Sequence, residues 1–216
     1  MRIGSNLLFL LIPVLTGCGP LSEKLNQMGV EEFNHKNYAG ARSQFKRALF
    51  LERSRPAFHN NLGYDYYFLK EYDKAEEEFQ QALSLGADGA LLRRIRINQV
   101  ILYGDSTVPV TPGHKEWNGK GVGILKELLT SEPDNAEYHM RLGFAYFRQA
   151  NPGGGFRELE LAVQWADPKV VVKYSSDPLQ GSLLILKQIQ QFYLRAGLIK
   201  RAWLVQKTMS VLEKTR

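Results

Sequence analysis

The strongest constraint on this chain is that it resembles itself at a spacing of 34 residues. Shifted by that length, Met28, Gly29, Phe33, Lys36, Tyr38, Ala41, Phe45, Ala48, Leu49 and Leu51 fall on Leu62, Gly63, Tyr67, Lys70, Tyr72, Ala75, Phe79, Ala82, Leu83 and Leu85. A fixed period of this size is the signature of stacked repeats, in which each unit buries its apolar face against its neighbour. Within a unit, Gly29 and Phe33 are four residues apart, and Ala41, Phe45 and Ala48 follow a helical spacing. Each set therefore lies on one helical face, and two amphipathic helices per unit follow. Gly29 and Gly63 let the partner helix approach closely, as do Ala41 and Ala75 from the second helix, while Phe45 and Phe79 fill the space between pairs.

The register continues. In a third unit Ile97 replaces the glycine, and the helix "ALLRRIRINQVILY" runs into "GDSTVPVTPGHKEWNGK". With 12 residues inserted there, Gly121, Leu125, Leu128 and Pro133 take second-helix positions, and a fourth unit carries Leu142, Gly143, Tyr146, Phe147, Gly155, Leu159 and Ala162 in place. After "WADPKVVVKYSSDPLQG", residues 182–214 read as a divergent pair, with Leu186, Ile189 and Tyr193 on its inner face and Gln206 where an aromatic is usual. An atypical last unit suits a cap.

The glycine, aromatic and alanine positions of "LGYDYYFLKEYDKAEEEFQQALSL" resemble the tetratricopeptide repeat. The first unit departs from that pattern, with Glu32 at the usual tyrosine position and "ERSRP" at the usual terminal proline. The resemblance implies an all-α solenoid of about five helix pairs, at about 22–55, 56–89, 90–135, 136–168 and 183–216, with insertions at about 104–120 and 169–181. Trp117, in the first insertion with Val108, Pro109 and Pro112, is expected to fold back on the array, although a loop of this length is also a candidate partner site.

A second pattern opens the chain. Met1 and Arg2 give a short positive region, and Leu7 to Leu15 an apolar run of signal-peptide length that is too short for a comfortable bilayer span. The order Leu15-Thr16-Gly17-Cys18, which contains the chain's one cysteine, resembles the lipobox of bacterial lipoproteins. The resemblance implies removal of a signal peptide, 1–17, and a covalent lipid on Cys18, followed by a tether over 18–24 and the solenoid from 25 onward. Each buried methylene contributes about 0.8 kcal/mol, so two or three chains anchor an otherwise soluble body. In family terms Gly19, rather than aspartate, after the cysteine implies the periplasmic face of the outer membrane.

Composition narrows the chemistry. A net charge of +6 with scattered basic residues, "LLRRIRI" being the densest run, does not describe a nucleic-acid surface. "GKGVG" and "PGGG" lack the preceding strand and the Gly-Lys-Ser/Thr ending of a phosphate loop, and both sit at turns between repeat helices. His35, His59, His114 and His139 belong to no metal-binding motif, and there is no GxSxG. No catalytic residue, metal, small-molecule substrate or cofactor beyond the lipid is expected.

What remains is the groove that stacked pairs create. In tetratricopeptide proteins the first helix of each unit lines it, at positions that here hold Asn60, Asn61, Tyr64, Tyr67 and Phe68, then Arg94 and Asn98, then Arg141, Phe144 and Arg148. Tyr and Arg favour partner contact and Asn satisfies peptide backbone, although Tyr67 and Phe144 could equally pack on the next repeat. Of the set with which chaperone-binding members hold a peptide carboxylate, Asn61 alone matches clearly, so that clamp is not expected. Lipobox and repeats together resemble the Tad and type IV pilus lipoproteins (TadD, PilF/PilW). That implies a pilotin-like role, assisting an outer-membrane secretin or pilus component. The alternative is an adaptor for cell-wall synthases or hydrolases.

Overall fold

A computed structural model describes residues 12–105, 114 and 116–214, with side chains from residue 19 onward. Most of the expected leader, the Cys18 side chain and most of the first insertion lie outside the described residues. Among those described there is no strand. The helices are α1 (Ile12–Asn34), α2 (Tyr38–Leu51), α3 (Pro56–Phe68), α4 (Tyr72–Ser84), α5 (Gly89–Gly104), α6 (Trp117–Ser131), α7 (Ala136–Arg148), α8 (Pro152–Trp165), α9 (Pro168–Val171), α10 (Pro178–Arg195) and α11 (Ile199–Lys214). None is long and apolar enough to cross a membrane.

The chain divides into two compact units, Met1–Val108 and Pro109–Arg216. The first holds α1 to α5, and its hairpins α1/α2 and α3/α4 pack as the glycines require. A Cβ on Gly29 would stand 2.5 Å from the Phe45 ring, and one on Gly63 would stand 2.8 Å from the Phe79 ring. Both phenylalanines are almost fully buried. The turn inside each hairpin places one residue in the left-handed region, Lys36 at φ 63° and Lys70 at φ 61°. After the first of these, Asn37 caps α2 by accepting from the Gly40 amide at 3.2 Å.

The second unit, α6 to α11, repeats the scheme with changed parts. Gly143 faces Leu159 where the first unit has phenylalanine, and Gly155 stands where Ala41 and Ala75 stood, leaving room for the Phe147 ring. The α7/α8 turn again uses a left-handed residue, Ala150 at φ 54°, followed by the capping Asn151. The α10/α11 turn uses Gly197 at φ 71°. The helices of the third expected pair, α5 and α6, fall one in each unit.

Four expectations need correction. Residues 19–24, expected as a tether, are helical, and Ser22 is fully buried with its hydroxyl 2.7 Å from a Glu52 carboxylate oxygen. Pro20 lies inside α1, where it has no amide hydrogen to donate back along the helix. The insertion expected to reach 120 ends at 116. Trp117 begins α6, and its ring is buried as folding back requires, tilted against His114 with ring centroids 4.0 Å apart.

The irregular stretch expected over 169–181 contains α9 and ends at Asp177, which caps α10 through the Gln180 amide with Pro178 at the first helical position. The last pair therefore starts five residues earlier than expected, on an Asp-Pro signal of helix initiation. Within this pair α11 turns Val205 inward, and Gln206 bonds Gln190 at 2.6 Å on the surface.

Candidate functional site

Side-chain amides form a continuous chain across the first helices of the first unit. Asn98 on α5 donates to Asn60 on α3 at 2.9 Å, Asn60 donates to Asn61 at 3.5 Å, and Asn61 donates to Asn26 on α1 at 2.9 Å. Every bond runs in the same direction, so the amide dipoles reinforce one another. Asn60 and Asn26 are buried, while Asn61 and Asn98 are half-buried. Asn60, expected to meet a partner, is thus committed to positioning the two amides that reach the surface. The sequence reading missed Asn26, which stands 34 residues before Asn60 in the repeat.

Beside this ladder lies a concavity of about 320 Å³, lined by Val30, Phe33, Phe45, Asn60, Asn61, Tyr64, Arg94 and Asn98. Aromatic rings form its wall: Phe33 meets Tyr64 at 5.4 Å and Phe68 at 5.1 Å, and Phe68 meets Tyr38 at 5.2 Å. Tyr67 packs on Phe68 at 5.3 Å and donates to an Asp105 carboxylate oxygen at 2.7 Å. Burial, followed by that bond, pushes the Tyr67 hydroxyl's pKa well up, so it remains a neutral donor. Phe68 stays 39% exposed, which gives the cluster an apolar outer edge.

The expected groove residues thus separate into two groups. Asn60, Asn61, Tyr64, Arg94 and Asn98 come together around one concavity, with Tyr67 and Phe68 adjoining it. Arg141, Phe144 and Arg148 lie in the second unit and are occupied there. Arg141 pairs with Glu137 one turn back at 2.6 Å, Phe144 packs on Phe192 of α10 at 5.1 Å, and Arg148 bonds Asn118 at 3.3 Å.

The histidines carry a relationship the sequence reading did not find. His59 and His139 each stand four residues before the repeat glycine, at the same place in the second and fourth units. His59 Nδ1 lies 2.6 Å from Glu78 and Nε2 lies 2.9 Å from the Arg53 carbonyl; His139 Nδ1 lies 2.7 Å from Glu158 and Nε2 lies 2.9 Å from the Pro133 carbonyl. Aligning the third-unit insertion would have exposed the match. Among the described residues no cluster suits a metal ion.

Asp65 is the unusual acid. It is fully buried and neither oxygen has a hydrogen-bond partner among the described residues, whereas Ala145 fills the same repeat position in the second unit. Burial pushes its carboxyl up to about 7, with the Arg42 guanidinium opposing and Glu71 adding.

Residues 56–87, which span α3 and α4, match the tetratricopeptide repeat family model. No curated protein sequence matches the chain. Among solved structures, the fold is similar to MamA 41-end from Desulfovibrio magneticus RS-1, at 15% identity over 90% of this chain and 96% of that one, with a TM-score of 0.61. It is also similar to TTC0263, a thermophilic tetratricopeptide protein of Thermus thermophilus, at 15% identity over 86% and 98%, with a TM-score of 0.50. YrrB, described as a tetratricopeptide protein with an unusual peptide-binding site, matches at 13% identity over 88% and 85%, with a TM-score of 0.51. The fold is all-α and of tetratricopeptide type.

Proposed function

We propose that this protein is a non-catalytic scaffold which takes an extended segment of another protein into the concavity of its first unit. The observation that carries this reading is the convergence of the amide ladder, the aromatic wall and Arg94 on one concave surface. Half-buried amides suit the hydrogen-bonding groups of an extended backbone, and aromatic rings suit its apolar side chains. Its place in the cell, on this reading, is the periplasmic face of the outer membrane, held by lipid on Cys18. The resemblance of Leu15-Thr16-Gly17-Cys18 to a lipobox supports that address. Together they describe a pilotin-like assistant in assembling a pilus or secretion machine.

The test is a photo-crosslinking amino acid at Tyr64 in the lipidated protein in its host, with a second at exposed Gln80 of α4 as control. A secretin or pilus subunit captured at position 64 and absent at position 80 is the expected result. Capture of a wall synthase there would keep the scaffold and remove the pilus role. Equal capture at both positions would remove the groove.

A further inference from the structure

We infer, resting on the groove reading above, that the first unit selects a peptide in which an acidic side chain neighbours an apolar one. The carboxylate meets Arg94 and Asn98, and the apolar group enters between Val30, Phe33 and Tyr64.

Charge is the first argument. Among the residues lining the concavity, Arg94 carries the charge; it is exposed and makes no ion pair or hydrogen bond within the described residues. Four arginines elsewhere are engaged in ion pairs, Arg42 with Glu71, Arg55 with Glu52, Arg141 with Glu137 and Arg201 with Glu160, and what sets Arg94 apart is its place in the lining of an apolar concavity. A cation left without an acid beside an apolar wall is electrostatically complementary to an acidic ligand. Guanidinium presents a planar fork that matches a carboxylate in two parallel bonds.

Helix geometry is the second argument. Arg94 and Asn98 are four residues apart on α5 and so share a face. Asn98 uses one amide hydrogen on Asn60, which leaves its second to point at the same acceptor as the guanidinium. The ladder behind it fixes that amide's orientation.

The third argument is the floor. Phe45 lies nearly fully buried beneath the cavity, and the Phe33 and Tyr64 rings are 5.4 Å apart at its side. An aromatic or branched aliphatic side chain gains the most from such a surface.

The experiment uses the purified full chain in detergent on an array of octapeptides. Each peptide carries one phenylalanine or leucine and, one to four residues away, glutamate, glutamine or lysine on a glycine-serine background. Glutamate peptides should be retained over their glutamine and lysine counterparts. The best should bind about tenfold more weakly to Arg94→Gln, the size of one charged contact. Circular dichroism should show that variant as helical as the parent, since Arg94 is exposed. If glutamine peptides bind equally well, or Arg94→Gln binds unchanged while Tyr64→Ala does not, the groove stands and the acidic preference falls. If Tyr64→Ala and Asn61→Ala both leave binding unchanged, or no peptide binds, the groove reading falls with it.

Discussion

His59 and Glu78 join the two helices of one repeat, with Nδ1 and Oε2 2.6 Å apart, while the ring's other nitrogen faces the Arg53 carbonyl at 2.9 Å. A carbonyl and an ionised carboxylate can only accept, so both nitrogens donate and the ring is held as imidazolium. His139 is bracketed in the same way by Glu158 and the Pro133 carbonyl. Burial pulls both histidines' pKa values down, but the carboxylate bond, the carbonyl bond and the carboxylate charge together outweigh it, so both are raised above 6.5. A raised value means the folded state binds the proton more tightly. This stabilisation is complete below the ordinary histidine value and is lost as pH rises through the folded one. Urea unfolding should therefore show stability declining above about pH 6.5, less steeply in His59→Gln and His139→Gln, with each variant about 1–3 kcal/mol weaker on the acidic side. An imidazole NMR titration would read the shift directly.

Asp65 works in the same direction over an earlier window. Its carboxyl is raised from 3.8 to about 7, so the folded state retains a proton that the unfolded chain has lost, and stability falls as pH rises between those values. Asp65→Ala adopts the residue found at Ala145. It should stabilise the protein at alkaline pH by about 1–3 kcal/mol, the cost of an unsatisfied buried group, and flatten the profile between about pH 4 and 7. Thermal melts of the two proteins across that range test it.

The repeat glycines should not tolerate a methyl group. On Gly143 it would sit 2.8 Å from the Leu159 side chain and 3.1 Å from the Gly155 carbonyl oxygen, and the latter cannot rotate away. Gly143→Ala should cost about 1–3 kcal/mol by overpacking, measured as a lower denaturation midpoint. Ala150 is the converse case: at φ 54° its Cβ is strained, so Ala150→Gly should gain on the order of 1 kcal/mol.

Breaking the ladder at its buried link should weaken both fold and groove. Asn60→Ala removes the acceptor of Asn98 and the donor to Asn61. A loss of about 1–3 kcal/mol in unfolding free energy is expected. Chemical shifts of the Asn98 and Asn61 side-chain amides should move with it.

Helical pairing was legible because the apolar spacing at Gly29, Ala41 and Phe45 depends only on helix period and close approach. The borders failed where a local signal outranked the repeat. Asp177-Pro178 starts a helix early, and Trp117 joins a helix because its ring finds a core. The groove was half legible. Asn60 and Asn61 looked like free amides because one sequence cannot show that Asn26 and Asn98 come within bonding distance of them. Arg141 and Phe144 looked like lining because their partners, Glu137 and Phe192, are supplied by folding.

The burial of Ser22 against Glu52 leaves Cys18 about one helical turn, roughly 6 Å along the axis, ahead of a locked position. An acyl group there would be bolted to a stiff strut with no slack line between them. The distance from the lipid to the first unit's concavity would then be set by the build of the first hairpin.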